Sequence, residues 1–217
     1  VALTDPNLHG AVEFSLLAKQ AGVKPLIGAE LRIDGQPICL YVQNSTGYHN
    51  LCRLLSTPHP KLDGLTDGLL AVGVDQHQAH HFPSRFYRGV ASTEELKKGS
   101  GDCPVVLHQP VHYAGAAERW KFDVVQSIRT LTLLKQEHAE KRLTGEFHFR
   151  SPQNVSNWRQ FHPELLTNTL ALAERCNFEM PLGKPQFPAF NTPDGSTSPQ
   201  FLRRLVEEGL RRRYPLK

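Results

Sequence analysis

Short apolar runs, bounded by turn residues and separated by amphipathic stretches, constrain this chain more than any other feature. Residues 1–4, 25–33, 37–43, 68–73 and 103–108 each read as a strand, being short and rich in Val, Ile and Leu. Between them, 8–21 reads as a helix, because Ala11, Phe14, Ala18 and Ala21 recur on one face. Gly22 is its expected C-cap, and Pro25 stops it resuming. Asp34-Gly35 between two apolar runs signals a two-residue hairpin. Ser45 is placed to cap a helix through "GYHNLCRLLS". Residues 119–134 read as another helix, with Phe122, Val125, Ile128 and Leu131 on a three-to-four period. Strands alternating with amphipathic helices imply a mainly parallel α/β arrangement, in which functional groups gather at the C-terminal ends of strands. Asp5, Glu30 and His112 are expected near such ends.

From about residue 149 the texture changes. Ser151-Pro152 opens one helix, residues 163–176 form a second, and Ser198-Pro199 opens a third. A Pro- and Gly-rich stretch over 180–199 reads as a long loop. This suggests two units, 1–148 and 149–217, the second all-helical. The chain opens at Val1 already inside an apolar run, which reads as the loss of an N-terminal strand. At 39% hydrophobic, 217 residues can bury a sizeable core, and no apolar run reaches membrane-spanning length. Cys39, Cys52, Cys103 and Cys176 show no C-x-x-C spacing, which favours reduced, mostly buried thiols over a disulfide frame or zinc ribbon. The formal charge of +4 permits a phosphate-rich partner without demanding one.

Divalent metals need carboxylates and imidazoles converging on one point. Asp5, Glu30 and His112 are of the right types, although three residues so far apart are equally readable as solvated or structural polar groups. His77, His80 and His81 fall within "DQHQAHHFP", a metal-binding tract or, more simply, a solvated polar loop. His108 and His112 are four apart, but Pro110 between them rules out a regular helix and an H-E-x-x-H site. His9 and His49 read as structural. No G-x-S-x-G, P-loop or G-x-G-x-x-G is present, which leaves acyl transfer and nucleotide binding without their usual motifs. In the last helix Phe201, Leu202, Leu205 and Val206 are expected to pack inward. Arg203, Arg204, Arg211, Arg212 and Arg213 then face solvent, or nucleic-acid phosphates.

Several stretches together resemble the alpha subunit of bacterial C-family DNA polymerase III, including its error-prone paralogues. "ALTDPNLHGAVEFSLLAKQAGVKPLIGAEL" resembles the second motif of that subunit's N-terminal PHP (polymerase and histidinol phosphatase) domain. "GYHNLCRLLS", "PVHY" followed by "FDVVQSIRT", and "FHFRSPQNV" continue the likeness in order; residues 75–102 carry it most weakly. "LLTNTLALAERCNF", "FPAF" and "FLRRLVEEGLRRRYP" resemble the start of the polymerase region. The resemblance implies an α/β fold: an incomplete PHP-type distorted (β/α)7 barrel over 1–148, lacking its first strand and H-x-H motif, then a helical segment over 149–217.

It also implies where ligands belong. The family's T-D-H reads here as Thr4, Asp5 and Pro6, so the acid is kept and the histidine lost. G-x-E reads as Gly28, Ala29 and Glu30. N-D-V-H-Y reads as Gln109, Pro110, Val111, His112 and Tyr113, so the aspartate is lost and the histidine kept. A further histidine common in the family is Phe122. Three remnant ligands, Asp5, Glu30 and His112, would leave a multinuclear site underfilled. The implied reading is a structural or vestigial protein related to DNA replication or error-prone repair synthesis, without polymerase activity because the palm acids lie downstream. No cofactor is expected, with Zn, Mn or Mg only if the PHP site still functions. Implied partners are replication or translesion-synthesis proteins and DNA in the cytoplasm, with no membrane, and a second copy as one cover for the open barrel edge. A residual metal-dependent phosphoesterase and a DNA-binding module using Arg211, Arg212 and Arg213 are the competing readings.

Overall fold

Asp34 and Gly35 adopt left-handed φ angles of 51° and 78°, closing the two-residue turn that joins β2 (Leu26–Ile33) to β3 (Gln36–Val42). The computed structural model describes every residue except 75, 99, 100, 184, 186 and 215–217, so Pro215 of the expected third helix lies outside the described residues. Around that hairpin a six-stranded sheet runs in chain order β1 to β6 among the described residues. It comprises β1 (Ala2–Leu3), β2, β3, β4 (Leu69–Gly73), β5 (Phe86–Val90) and β6 (Val105–Leu107). β1 pairs parallel to β2, β2–β3 and β3–β4 pair antiparallel, and β4–β5 and β5–β6 pair parallel. The sheet is therefore mixed, and β1 and β6 are its two edges. It is a curled half-barrel of the PHP type, as the resemblance implied.

Register sorts the side chains. In β2, Ile27, Ala29, Leu31 and Ile33 face the same core as Ile38, Leu40 and Val42 of β3. That core is closed by Leu51 and Leu54 of α2 (Ser45–Leu55). The opposite face carries Leu26, Cys39, Tyr41, Leu70, Val72, Tyr87 and Val106, covered by Leu172 of the helix α6 (Pro163–Arg175) and by Cys176 just after it. The α6 helix is anchored at the sheet edge. Thr169 Oγ1 accepts from Leu107 N at 3.0 Å, and Asn168 Nδ2 donates to Val105 O at 2.9 Å. By packing, residues 1–180 form one compact unit and 181–217 another. The helices α5 (Pro152–Phe161) and α6 thus belong to the sheet's unit.

Several expectations are corrected. The first helix, α1 (Ala11–Gln20), begins after Gly10 rather than at residue 8, and Gly22 ends it with φ 68°. The cap of α2 is Asn44, whose side chain accepts from Gly47 N at 3.1 Å, rather than Ser45. Residues 76–81 form a 3-10 turn, not an open loop, because buried Gln78 donates to Ile33 O at 2.9 Å. Within 75–102 also lie β5 and α3 (Thr93–Lys98). The α4 helix (Arg119–Thr130) stops four residues early, where Leu131 turns left-handed at φ 53°. Its expected apolar face is reversed: Val125 and Ile128 are exposed while Gln126 and Ser127 are buried. The segment folding back on α4 presents backbone groups there, which an amide satisfies and an alkyl chain cannot. In α7 (Ser198–Arg213), Leu202, Leu205 and Val206 remain exposed. In its own short unit the apolar contact to α7 is a ring contact of Phe190 with Phe201, 6.0 Å between centroids, which covers none of the three.

The start of α2 lies hard against the turn before β4. A Cβ added at Gly47 would stand 1.9 Å from the carbonyl oxygen of Gly68, which is backbone and cannot swing away. Gly47→Ala is therefore expected to destabilise the fold by about 1–3 kcal/mol, read as a lower urea midpoint; an unchanged midpoint would show that this approach is not tight.

Candidate functional site

The β1–β2 pairing continues beyond the end of β1. Glu30 N donates to both Thr4 O (3.2 Å) and Asp5 O (3.3 Å), so the chain after β1 is tied beside Glu30 in mid-β2. Glu30 shares the sheet face of Cys39 and Tyr41, the face covered by α6. Between that face and α6 lies a cavity of about 640 Å³ with an apolar floor, including Tyr41, Val72 and Leu172. Asp5, Glu30, His108 and His112 all line it. His108 is delivered by β6, its N–H donating to Val90 O at 2.8 Å. His112 is held by its own N–H, which donates to Phe147 O at 2.7 Å, and Tyr113 adds a parallel bridge to His148. The three residues expected from sequence thus reach one cavity from three segments far apart in the chain.

They do not form a metal-binding set. Among the described residues no group of three or more His, Cys, Asp or Glu side chains converges closely enough to hold an ion. The His112 Nε2 atom lies 3.0 Å from Arg142 Nη1. Arginine has only N–H donors, so Nε2 is the acceptor and its lone pair is engaged. The Phe122 ring stacks on the His112 ring, 4.8 Å between centroids and 4° from parallel. The residues present therefore do not fit the metals a PHP-type site would hold. The histidines at 77, 80 and 81 line no part of this cavity; His80 and His81 contact each other at 3.9 Å between ring centroids.

Burial, and then the Arg142 charge, hold the His112 imidazole below its usual range, with Glu30 and Asp5 pulling the other way. Burial also lowers His108, against the charges of Glu30 and Glu95. Burial, reinforced by Glu30, pushes the Cys39 thiol up to about 12, despite a bond from Thr4 and the nearby Arg142. Sequence reasoning missed Arg142 and the Cys39 neighbourhood. Arg142 lies outside any periodic element, and nothing in its local pattern separates it from other surface arginines. In α7, Arg203 pairs with Glu207 at 3.0 Å, and Arg204 pairs with Asp194. Arg211, Arg212 and Arg213 form the exposed last turn, with no acidic partner among the described residues.

The curled, mixed six-stranded half-barrel is that of a partial PHP-type domain. The PHP domain family matches residues 1–120, and the chain belongs to it. An error-prone DNA polymerase of Symbiobacterium thermophilum is 30% identical, covering 99% of this chain and 25% of that protein. One from Pseudomonas paraeruginosa is also 30% identical, covering 99% and 24%. A DNA polymerase III subunit alpha of Halalkalibacterium halodurans is 27% identical, covering 99% and 23%. The chain thus spans about a quarter of the length of the curated relatives it matches. The first alignment runs over 277 positions against 217 residues here, so that relative carries stretches inside the shared span that this chain does not. Among the described residues no helix is long and apolar enough to cross a membrane.

Burial likewise raises Cys176, to about 11. Both thiols ionise more readily in the unfolded chain, near 9, than in the folded one. The folded state therefore retains protons that the unfolded state releases, and stability falls as pH rises above about 9. At pH 8 Cys39 and Cys176 are expected to react with a thiol reagent only on unfolding. Rapid labelling of either in the native protein, located by peptide mass, would contradict the burial that sets these values.

Proposed function

We propose that this chain is the PHP-type part, with the first helices of the polymerase region, of a DNA polymerase III alpha-subunit-like protein. Its PHP metal site is inactive, and its role is structural, in replication or error-prone repair synthesis in the cytoplasm. The observation that carries this reading is the split character of the cavity: Asp5, Glu30 and His112 line it, yet among the described residues no three ligands converge. Likeness to polymerases along 99% of the chain supports the replication context. The change in sequence texture near 148 supports drawing the polymerase region from 149. The resemblance puts the family's palm acids downstream of this stretch, and the reading therefore assigns it no polymerase activity of its own.

The test is metal content and hydrolysis. After exposure to Mn²⁺ or Zn²⁺ and gel filtration, the purified protein is expected to retain well under one equivalent of metal and to leave a generic phosphodiester intact. Stoichiometric metal abolished by Glu30→Ala, together with hydrolysis, would replace this reading with that of a residual phosphoesterase.

A second reading is favoured by the acid-free last turn of α7. Three adjacent exposed arginines can contact nucleic-acid phosphates, and replacing Arg211, Arg212 and Arg213 with Ala is expected to weaken DNA binding about tenfold or more at low salt. Fluorescence anisotropy with single- and double-stranded DNA reads this, and unchanged affinity would remove the tail from the interface. The sheet edge at β1 suits a docked replication partner or a second copy of the chain, whereas the edge at β6 is bonded to Asn168 and Thr169 of α6.

A further inference from the structure

We infer that Arg142, an exposed residue beside the PHP-type cavity, takes with its guanidinium the place at His112 that a metal ion would take. The inference rests on the PHP-type reading above and deepens it, by naming what holds the site together without an ion.

The guanidinium and an ion compete for one lone pair. Arg142 Nη1 donates to His112 Nε2 at 3.0 Å, and an imidazole nitrogen that accepts this bond cannot ligate a metal. The charge falls in the right neighbourhood. Arg142 and Glu30 act electrostatically on the same two groups, His112 and Cys39, and Asp5 acts on His112 as well. A positive charge is thus fixed at His112, one of the three remnant ligand residues.

The placement is built into the fold. Arg142 N donates to the Gln126 Oε1 at 2.6 Å, and Arg142 O accepts from Arg119 Nη2 at 2.7 Å. Both backbone groups of this residue are therefore pinned to α4, which explains why α4 buries an amide. The preceding residue, buried Lys141, folds the approach: its ammonium donates to the carbonyls of Leu133 (2.8 Å), Leu134 (3.0 Å) and Gln136 (3.0 Å). The guanidinium itself lies over the Phe147 ring, 5.5 Å from its centroid. That ring belongs to the residue whose carbonyl holds His112, so cation and imidazole are positioned by one frame. A free surface arginine would lack every one of these restraints.

The experiment reads the His112 ring nitrogens by ¹⁵N NMR near neutral pH, in the wild type and in Arg142→Met, with and without Zn²⁺. The wild type is expected to show His112 as the Nδ1–H tautomer, with Nε2 unprotonated and accepting. Removing the guanidinium is expected to move the ring toward the Nε2–H form and to make it respond to Zn²⁺ at about tenfold lower concentration or less. A purely structural arginine would change the melting temperature without moving the tautomer. The wild-type spectrum is decisive even if the variant misfolds, because an Nε2–H tautomer there overturns the inference. So does a zinc response equal in both proteins. Either result without phosphodiester hydrolysis leaves the inactive-site reading standing, whereas metal-dependent hydrolysis by the wild type would remove that reading itself.

Discussion

The left-handed pair Asp34-Gly35 decides which way the rest of the sheet faces. A two-residue turn fixes the register of β2 against β3 without latitude, since a slip of one residue would exchange the two faces. With Ile33 opposite Gln36 and Glu30 opposite Cys39, the isoleucines and leucines fall toward α2. Glu30 then falls on the other face, among groups that a carboxylate does not suit. Above that face, between it and α6, lies the cavity that Glu30 lines. Each later strand adds to an alternation already set.

Much of this was legible in the residues. Asp34-Gly35 announced the hairpin, Ser151-Pro152 announced a helix start, and Gly22 announced a helix end. β5 was not, because its interior holds Arg88 and Gly89, which read as loop. The fold makes that arginine tolerable by spending its donors on the carbonyls of Glu95 (3.1 Å) and Leu96 (3.4 Å) in α3. A buried charge satisfied by a neighbouring helix leaves no periodic trace. The reversed face of α4 escaped for a similar reason: its period was correct, but what it packs against is backbone rather than side chains.

The candidate site divides in the same way. Asp5, Glu30 and His112 could be named because strand ends and family motifs point to them, and the structure brings them to one cavity. Whether side chains in one cavity converge on a point depends on their three-dimensional placement, which spacing in sequence does not encode. Arg142 reaches His112 through tertiary bonds alone. Proline at positions 6 and 110 fits the same picture, since neither can offer an imidazole or a carboxylate where the family would have one. A site that loses ligands singly keeps residual charge at each step, and a guanidinium is a compact way to neutralise part of it.

Lys141 carries a consequence for motion. The stretch from Leu131 to Glu140 contributes no buried side chain, and its first carbonyls are gathered by one ammonium group. Such a stretch has little reason to open residue by residue; it holds while that ammonium holds and releases together when it lets go. Because Arg142 is the next residue, the same opening would withdraw the guanidinium from His112. Amide exchange across 131–142 and the release of the His112 ring would then share one rate, joining a surface excursion to the chemistry of a single imidazole.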